Sequence, residues 1–282
     1  MPHTPTIAQT LTLLQTQGLE RLDAQLLLLH VLGQPEHQRG WLLAHDTDLL
    51  SPAQLDTLQV LAQRRIHHEP LAYLTGHKEF FGLDLAVDAR VLVPRPDTET
   101  LVNWALELLH RPHSVLDLGT GSGAIALALK ASQPALQVHA IDLSAAALSV
   151  AQANAERLKL GVTFSRGAWF AGLSEPHTRF DCIVSNPPYI AEHDPHLAAL
   201  THEPAQALSS GADGLDDIRH IISQAPQHLV PGGWLLLEHG FDQAQAVRDL
   251  LSSTGFESVQ SRCDLAGIER CSGGQLKLRA LP

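Results

Sequence analysis

Cysteine is scarce in this 282-residue chain, and its pattern excludes more than its number does. Cys182, Cys263 and Cys271 show no CxxC spacing, and an odd count cannot pair completely. A disulfide framework or a thiolate metal site needs the opposite, so these read as reduced thiols of a cytosolic protein. No uninterrupted apolar run is long enough to span a bilayer, so no membrane partner is expected. The opening stretch Met1-Pro2-His3-Thr4-Pro5 lacks the basic run and small-residue cleavage pattern of a secretory signal. The expected location is cytoplasmic. Positive charge is in short supply: 19 Lys plus Arg stand against 30 Asp plus Glu, a formal net charge of −11. Binding to naked duplex DNA normally shows the other sign, so no stable nucleic-acid binding is expected.

Two catalytic classes lack their residues. Ser185 has no G-x-S-x-G elbow around it, which removes the serine-hydrolase reading. Seventeen histidines suggest a metal, yet Pro195 separates His193 from His196, helical ligand spacing is missing, and no cysteine or carboxylate cluster completes a tetrahedral set. No metal is expected. Internal repeats and low-complexity segments are absent too.

What is present is a chain long enough for one large or two ordinary domains. The first ~70 residues read as helices only. Ile7, Leu11 and Leu14 share a face closed by Gly18, and Asp23 to Leu32 is leucine-rich before Gly33 and Pro35. Ser51-Pro52 is an N-cap followed by a first-turn proline, and Leu55, Leu58, Leu61 and Ala62 form the stripe that follows. Arg64-Arg65 at its end is either a solvated helix terminus or a contact patch. Phe81, Leu83, Leu85 and Val87 then alternate with polar or small residues, predicting a strand or hairpin between Gly76 and Pro94-Arg95-Pro96. Asp97 is a candidate N-cap for the next helix, with Glu99 in its first turn. The boundaries expected are 1–75 for a helical bundle, 76–96 for a β-hairpin connector and 97–282 for an α/β domain.

From Ser114 onward strands and helices alternate, which predicts a doubly wound, mostly parallel sheet with an antiparallel pairing at its end. The expected strands cover 115–118, 138–141, 162–164, 182–185, 234–237, 256–259 and 276–278, with helices over 123–131, 145–158, 217–229 and 242–253. Pro231-Gly232-Gly233 reads as a turn. Gly273-Gly274 reads as a turn between the last two strands.

Between the first strand and its helix lies Asp117-Leu118-Gly119-Thr120-Gly121-Ser122-Gly123. Glycines there permit a tight turn and let a ligand press on the backbone near a helix N-terminus. Asp142 ends the next strand about twenty residues on, where a carboxylate accepts from ribose hydroxyls. The loop reads G-x-G-x-G, not the G-x-G-x-x-G of dinucleotide folds, and it lacks the Lys-Ser/Thr pair of a P-loop. An acidic Asp117 two positions before the first glycine disfavours a pyrophosphate and suits a cationic ligand. The loop resembles motif I of class I methyltransferases, which implies S-adenosyl-L-methionine.

A second motif follows the apolar run Phe180 to Val184: Asn186-Pro187-Pro188-Tyr189. The prolines fix two φ angles and delete two N–H donors, leaving a stiff loop that presents carbonyls. Asn186 adds a side-chain acceptor and Tyr189 a ring with a polar tip. Convergent acceptors beside a flat face suit a planar group bearing NH₂. The residues alone leave three readings: an enzyme methylating a carboxamide, one methylating an exocyclic base amine, and a non-catalytic binding module.

Taken whole, the chain resembles the HemK/PrmC family, the peptide chain release factor glutamine methyltransferases. The likeness runs through Glu69 to Gly76, Phe80-Phe81-Gly82-Leu83, Val93 to Glu99, Asp117 to Gly123, Asn186 to Tyr189 and Glu203-Pro204 with Ala207-Leu208. It continues through Asp213 to Asp216, Gly232-Gly233, Glu238-His239-Gly240 with Gln243, and Asp264 to Gly267. The resemblance implies an α/β fold of the class I S-adenosylmethionine-dependent methyltransferase type. That is a Rossmann-like, mostly parallel seven-stranded sheet with a small N-terminal helical domain that docks a protein substrate. It implies methylation of the side-chain amide nitrogen of glutamine in a Gly-Gly-Gln motif of a release factor, by a monomer. Gly119 to Gly123, with Asp117, would hold the methionine part of the cofactor, Asp142 its ribose, and Trp169 would lie beside the adenine. Asn186 would serve cofactor and substrate alike. Asn186, Pro187 and Tyr189 would act in catalysis, and Asn186, Pro187, Pro188, Tyr189 and Arg95 would bind the glutamine.

The sequence departs from the family at Gly167-Ala168-Trp169-Phe170, where an acidic residue usually precedes the tryptophan. Ala168 has no acceptor for an adenine amino group. Gly273-Gly274-Gln275 repeats the substrate motif, which raises self-methylation or mimicry against a plain glycine turn with an incidental glutamine. The turn is the expectation.

Overall fold

The computed structural model describes residues 4–109, 113–175 and 177–278, so the outer limits 1 and 282 of the expected domains lie outside the described residues. The chain divides into two compact units, Met1–His77 and Lys78–Pro282.

The first unit contains helices α1 (Ile7–Thr16), α2 (Arg21–Val31), α3 (Arg39–Ala44), α4 (Pro52–Ile66) and α5 (Leu71–Thr75). Thr6 with Gln9 and Ser51 with Gln54 form capping boxes at α1 and α4, each satisfying two N–H donors that the helix start would orphan. Ile7, Leu14, Leu27, Leu28, Leu42, Leu58 and Leu74 are buried in one cluster. Helices α3 and α5 are too short to show a periodic stripe, so pattern reading passes over them. At Arg64-Arg65 the structure shows two ion pairs. Arg65 Nε donates to Asp23 Oδ2 at 2.6 Å, tying α4 to α2, and Arg64 grips Glu69 through two hydrogen bonds.

In the second unit β1 (His77–Phe80) and β2 (Leu83–Ala86) form a two-stranded sheet. Phe81 belongs to the connecting turn and not to a strand. It and Gly82 both have positive φ, the backbone twist that two-residue hairpins require. A 3₁₀ turn, Pro96–Thr98, then precedes α6 (Glu99–Leu108). Asp97 is therefore inside that turn and does not cap α6. Glu99 instead turns its carboxylate to Phe81 N at 3.0 Å.

The main sheet comprises β3 (Ser114–Leu118), β4 (Gln137–Asp142), β5 (Thr163–Arg166), β6 (Phe180–Ser185), β7 (Leu229–Glu238), β8 (Phe256–Cys263) and β9 (Glu269–Leu276). Its order is β5-β4-β3-β6-β7-β9-β8; β9 runs antiparallel to both of its neighbours and the remaining pairs are parallel. Side chains alternate between the faces. Val115, Cys182, Val184 and Leu236 pack with α6 and α7 (Ala124–Ser132) on one side. Leu116, Ile183, Leu235 and Leu237 pack with α9 (Asp216–His228) and α10 (Ala244–Ser253) on the other. Both faces are covered by helices, which is why these strands read as mostly apolar runs instead of strict alternation. Helix α8 (Ala145–Leu158) is the remaining crossover, between β4 and β5.

Two expected turns are strand. Pro231-Gly232-Gly233 lies within β7, where the pairing with β6 shifts register between Phe180 and Cys182; the proline and the positive φ of Gly232 sit at an irregularity rather than at a reversal. Gly273-Gly274-Gln275 lies within β9. A Cβ on Gly273 would fall 2.6 Å from Leu236 and 3.0 Å from Trp104, so the glycine is there to let α6 approach the sheet. The real reversal is at Asp264–Ile268, where Asp264 Oδ1 accepts from the backbone N–H groups of Ala266 and Ile268. Gln275 donates to the Gly232 carbonyl at 2.9 Å, a cross-strand bond within the sheet. Strand β9 also stops at Leu276, short of the expected 278.

Candidate active site

Strand order reverses between β3 and β6, and in open α/β sheets the crevice at such a point takes the ligand. Leu118 and Ser185 are register partners, and Ser185 Oγ donates to the Leu118 carbonyl at 2.7 Å. The two loops of interest, starting at Gly119 and Asn186, therefore leave the sheet side by side.

Gly119, Gly121 and Gly123 all have positive φ. That backbone path is open to glycine and strained for other residues. The loop is moored to β4: Gly119 N and Thr120 N donate to the Ile141 carbonyl, and Gly121 N donates to Asp142 Oδ2 at 2.9 Å. Asp117 is buried under the loop, accepting from Thr120 Oγ1 at 2.6 Å, while its Oδ1 has no partner among the described residues. Burial pushes its carboxyl up to about 7, against the Thr120 and Ala126 hydrogen bonds that hold it down.

A cavity of about 180 Å³ opens beside the loop, walled by Gly119, Gly121, Asp142, Trp169, Asn186 and Pro188. A smaller one of about 70 Å³ is walled by Arg95, Asn186 and Tyr189. Leu92, Ala207 and Asn186 line both, so Asn186 stands on the wall they share. Thr120 and Ser122 are buried within the loop, Pro187 is buried below its own, and these three, like Asp117 and Gly123, line neither cavity.

Asn186 Nδ2 donates to Thr98 Oγ1 at 3.2 Å, and Oδ1 accepts no hydrogen bond among the described residues. The Tyr189 hydroxyl donates to Glu238 Oε1 at 3.4 Å, and Gln243 Nε2 holds the Tyr189 carbonyl at 2.9 Å. Burial, and then the nearby Glu238 charge, push the Tyr189 hydroxyl pKa upward. Arg95 is locked to the buried Glu203, whose second oxygen accepts from Val93 N at 3.1 Å. Trp169 has a positive φ, an uncommon state for a bulky residue, and its Nε1 donates to Asp217 Oδ1 at 3.2 Å.

Thr98, Glu203, Asp217, Glu238 and Gln243 escaped the sequence reading as site residues. Most lay inside quoted family stretches, but nothing in one dimension shows that residues 98, 186, 189 and 238 converge. Among the described residues no cluster of three or more His, Cys, Asp or Glu side chains could hold a metal ion, and no helix is long and apolar enough to cross a membrane.

The sheet order, the glycine loop and the acidic end of β4 define a class I S-adenosylmethionine-dependent methyltransferase. The family model described as "Methyltransferase small domain" matches residues 98–213, and that described as "PrmC N-terminal domain" matches residues 6–76. A protein of Bordetella pertussis named release factor glutamine methyltransferase is 51% identical over 94% of this chain and 98% of its own. One of the same name from Burkholderia pseudomallei is 47% identical over 96% of this chain and 98% of its own. The chain belongs to the release factor glutamine methyltransferase family. Among solved structures, a methyltransferase from Pyrococcus furiosus superimposes with a TM-score of 0.55 at 20% identity, covering 77% of this chain and 98% of that one, a likeness of fold alone.

The cavity fits S-adenosylmethionine by its own chemistry. Asp142 offers a carboxylate in the wall and Trp169 offers a flat apolar face, and the loop between them has three glycines whose backbone a ligand can approach closely.

Proposed function

We propose that this chain methylates the side-chain amide nitrogen of the glutamine in a Gly-Gly-Gln motif of a peptide chain release factor, and so modulates translation termination. The observation that carries the site assignment is the place of Asn186 on the wall between two cavities, with its Oδ1 accepting no hydrogen bond among the described residues. The larger cavity takes the cofactor: Gly119 and Gly121 border its methionine part, Asp117 lies beneath, Asp142 holds the ribose and Trp169 flanks the adenine. Asp217 lines the same cavity and is fixed by Trp169 Nε1, so it supplies the carboxylate that Ala168 lacks. The smaller cavity takes the glutamine side chain. When bound, S-adenosylmethionine supplies an electrophilic methyl group on a sulfonium.

A carboxamide nitrogen is a poor nucleophile because its lone pair is delocalised into the carbonyl, and its N–H is too weakly acidic for any side chain to deprotonate fully. Rate enhancement must come from positioning and electrostatics. Asn186 Oδ1 accepts an amide hydrogen and draws the nitrogen toward a tetrahedral shape, whereas Pro187, buried and outside both cavities, would reach the second hydrogen only if the loop shifts on binding. Tyr189 packs on the amide plane, and Arg95 borders the same cavity. One amide proton passes to water as the nitrogen is alkylated.

The helical unit Met1–His77 docks the protein substrate, and the enzyme works as a cytoplasmic monomer without stable nucleic-acid binding. The test is transfer of labelled methyl from S-adenosylmethionine to release factor, to tRNA and to DNA in parallel. Label in the release factor alone is expected, and label in nucleic acid alone would overturn the reading. Isolated Gly-Gly-Gln peptides should react less efficiently than the intact factor; equal efficiency would remove the docking role.

A further inference from the structure

Glu203 is bonded to the wall of the smaller cavity without lining it. Its side chain is 3% exposed and accepts from Arg95 through one oxygen and from Val93 N, at 3.1 Å, through the other. Among the residues lining that cavity Arg95 alone carries charge, and apart from Asn186 and Tyr189 the rest are apolar. One Nη2 hydrogen of the guanidinium is spent on Glu203, and its other donors have no partner among the described residues. A cation on a small, largely apolar wall attracts carboxylates strongly, because a charge-assisted pair gains most where water is scarce. A cation already paired with a buried carboxylate does not.

We propose that Glu203 is a specificity-determining residue: it cancels the Arg95 charge from outside the cavity, so that the pocket admits the neutral carboxamide of glutamine and not the carboxylate of glutamate. The inference rests on the functional reading given above. The two side chains have nearly the same size and shape, so packing cannot separate them. Charge and hydrogen-bond polarity can. Asn186 Oδ1 reads one end of the side chain, because it accepts from an amide N–H and repels a carboxylate oxygen. The other end is the side-chain oxygen, and Arg95 is the donor on the wall for it.

An uncompensated guanidinium there would hold a carboxylate better than an amide oxygen, and would offset the discrimination made by Asn186. A full positive charge at the carboxamide oxygen would also draw the nitrogen lone pair further into the carbonyl, the opposite of what transfer needs. Paired with Glu203, the guanidinium keeps its remaining N–H donors and loses its net charge. It can then bond an amide oxygen without preferring an anion. The Val93 N–H on the second oxygen fixes the carboxylate that does this.

Competition with end-blocked peptides reads this directly, using the full chain, S-adenosylmethionine and intact release factor, with Gly-Gly-Glu and the uncharged Gly-Gly-Met as inhibitors. Wild type should bind Gly-Gly-Glu no more tightly than Gly-Gly-Met. Glu203→Gln should lower the Ki of Gly-Gly-Glu about tenfold, the effect of leaving one cation uncompensated before a carboxylate, with the Ki of Gly-Gly-Met within about twofold of wild type. This variant strands no buried charge, since the Arg95 side chain is 38% exposed, and calorimetry with the cofactor checks its fold. Adding Arg95→Gln should abolish the gain, because no cation remains. In wild type alone, a Gly-Gly-Glu Ki more than about threefold below that of Gly-Gly-Met would overturn the inference, as Arg95 would then act as a free cation. An unchanged Ki in Glu203→Gln, or a gain that survives Arg95→Gln, would overturn it too. Absence of transfer to release factor by wild type would instead overturn the functional reading, and this inference with it.

Discussion

The two loops at the reversal point leave neighbouring strands within one residue of the same level, yet they are held by opposite means. The loop Gly119–Gly123 has flexible residues and is fixed by its own N–H groups, which donate to Ile141 and Asp142 at the end of β4. The loop Asn186–Tyr189 has stiff residues and lacks two N–H groups altogether. Covalent rings and borrowed side chains fix it: Thr98 on Asn186, Glu238 and Gln243 on Tyr189. A glycine loop bonded to a strand is thus vulnerable to an added side chain, and a proline loop to a lost partner.

That contrast can be broken at its strongest point first. Asn186→Ala should reduce kcat by about 10²–10³, the usual effect of removing one preorganised polar group from a reacting centre. Cofactor affinity and melting temperature should move little. Steady-state transfer to release factor beside a thermal melt checks this, and near-normal transfer would return Asn186 to a structural role. Gly119→Ala attacks the other loop by addition. Its Cβ would sit 3.3 Å from the Trp169 ring in a backbone state with φ +73°, so both strain and displacement of the ring act on the cofactor cavity. Affinity for S-adenosylmethionine should fall about tenfold by calorimetry, with kcat at saturation less affected than in Asn186→Ala.

A smaller loss is expected from Asp217→Asn, which weakens the hold on Trp169 Nε1 and removes the carboxylate from the cavity wall. Cofactor affinity should drop about fivefold, the worth of one hydrogen bond to a charged acceptor in a partly exposed place. An unchanged dissociation constant would mean that Asp217 only supports the tryptophan. Smallest of all, Pro188→Ala relaxes stiffness without deleting a contact group, and should reduce kcat by about twofold. A loss as large as that of Asn186→Ala would show that rigidity, and not the acceptors, dominates the second loop.

The parallel strands were legible because both sheet faces are buried, so β3, β4 and β6 appear as apolar runs that end at the residues of interest. Antiparallel and irregular segments were less so. Gly273-Gly274 was taken for a turn because glycine pairs commonly make one, whereas the close approach of Trp104 from a helix 169 positions earlier made glycine necessary within a strand. Pro231 gave the same false signal in β7, where a register irregularity accommodates it. Asp217 and Ala168 line the same cavity, which their 49-residue separation in the chain does not reveal.

By itself the sequence determined the two chemistries. Glycines at 119, 121 and 123 dictate a backbone path that other residues resist, and prolines at 187 and 188 dictate a loop rich in acceptors, because these are local properties of φ and of the N–H group. Tertiary structure alone decided how those chemistries are aimed. The direction of the Asn186 amide depends on a hydroxyl 88 residues before it, and the ring of Tyr189 on a carboxylate 49 residues after it. Hydrogen bonds between residues so far apart are set by strand order and register, which no local propensity encodes.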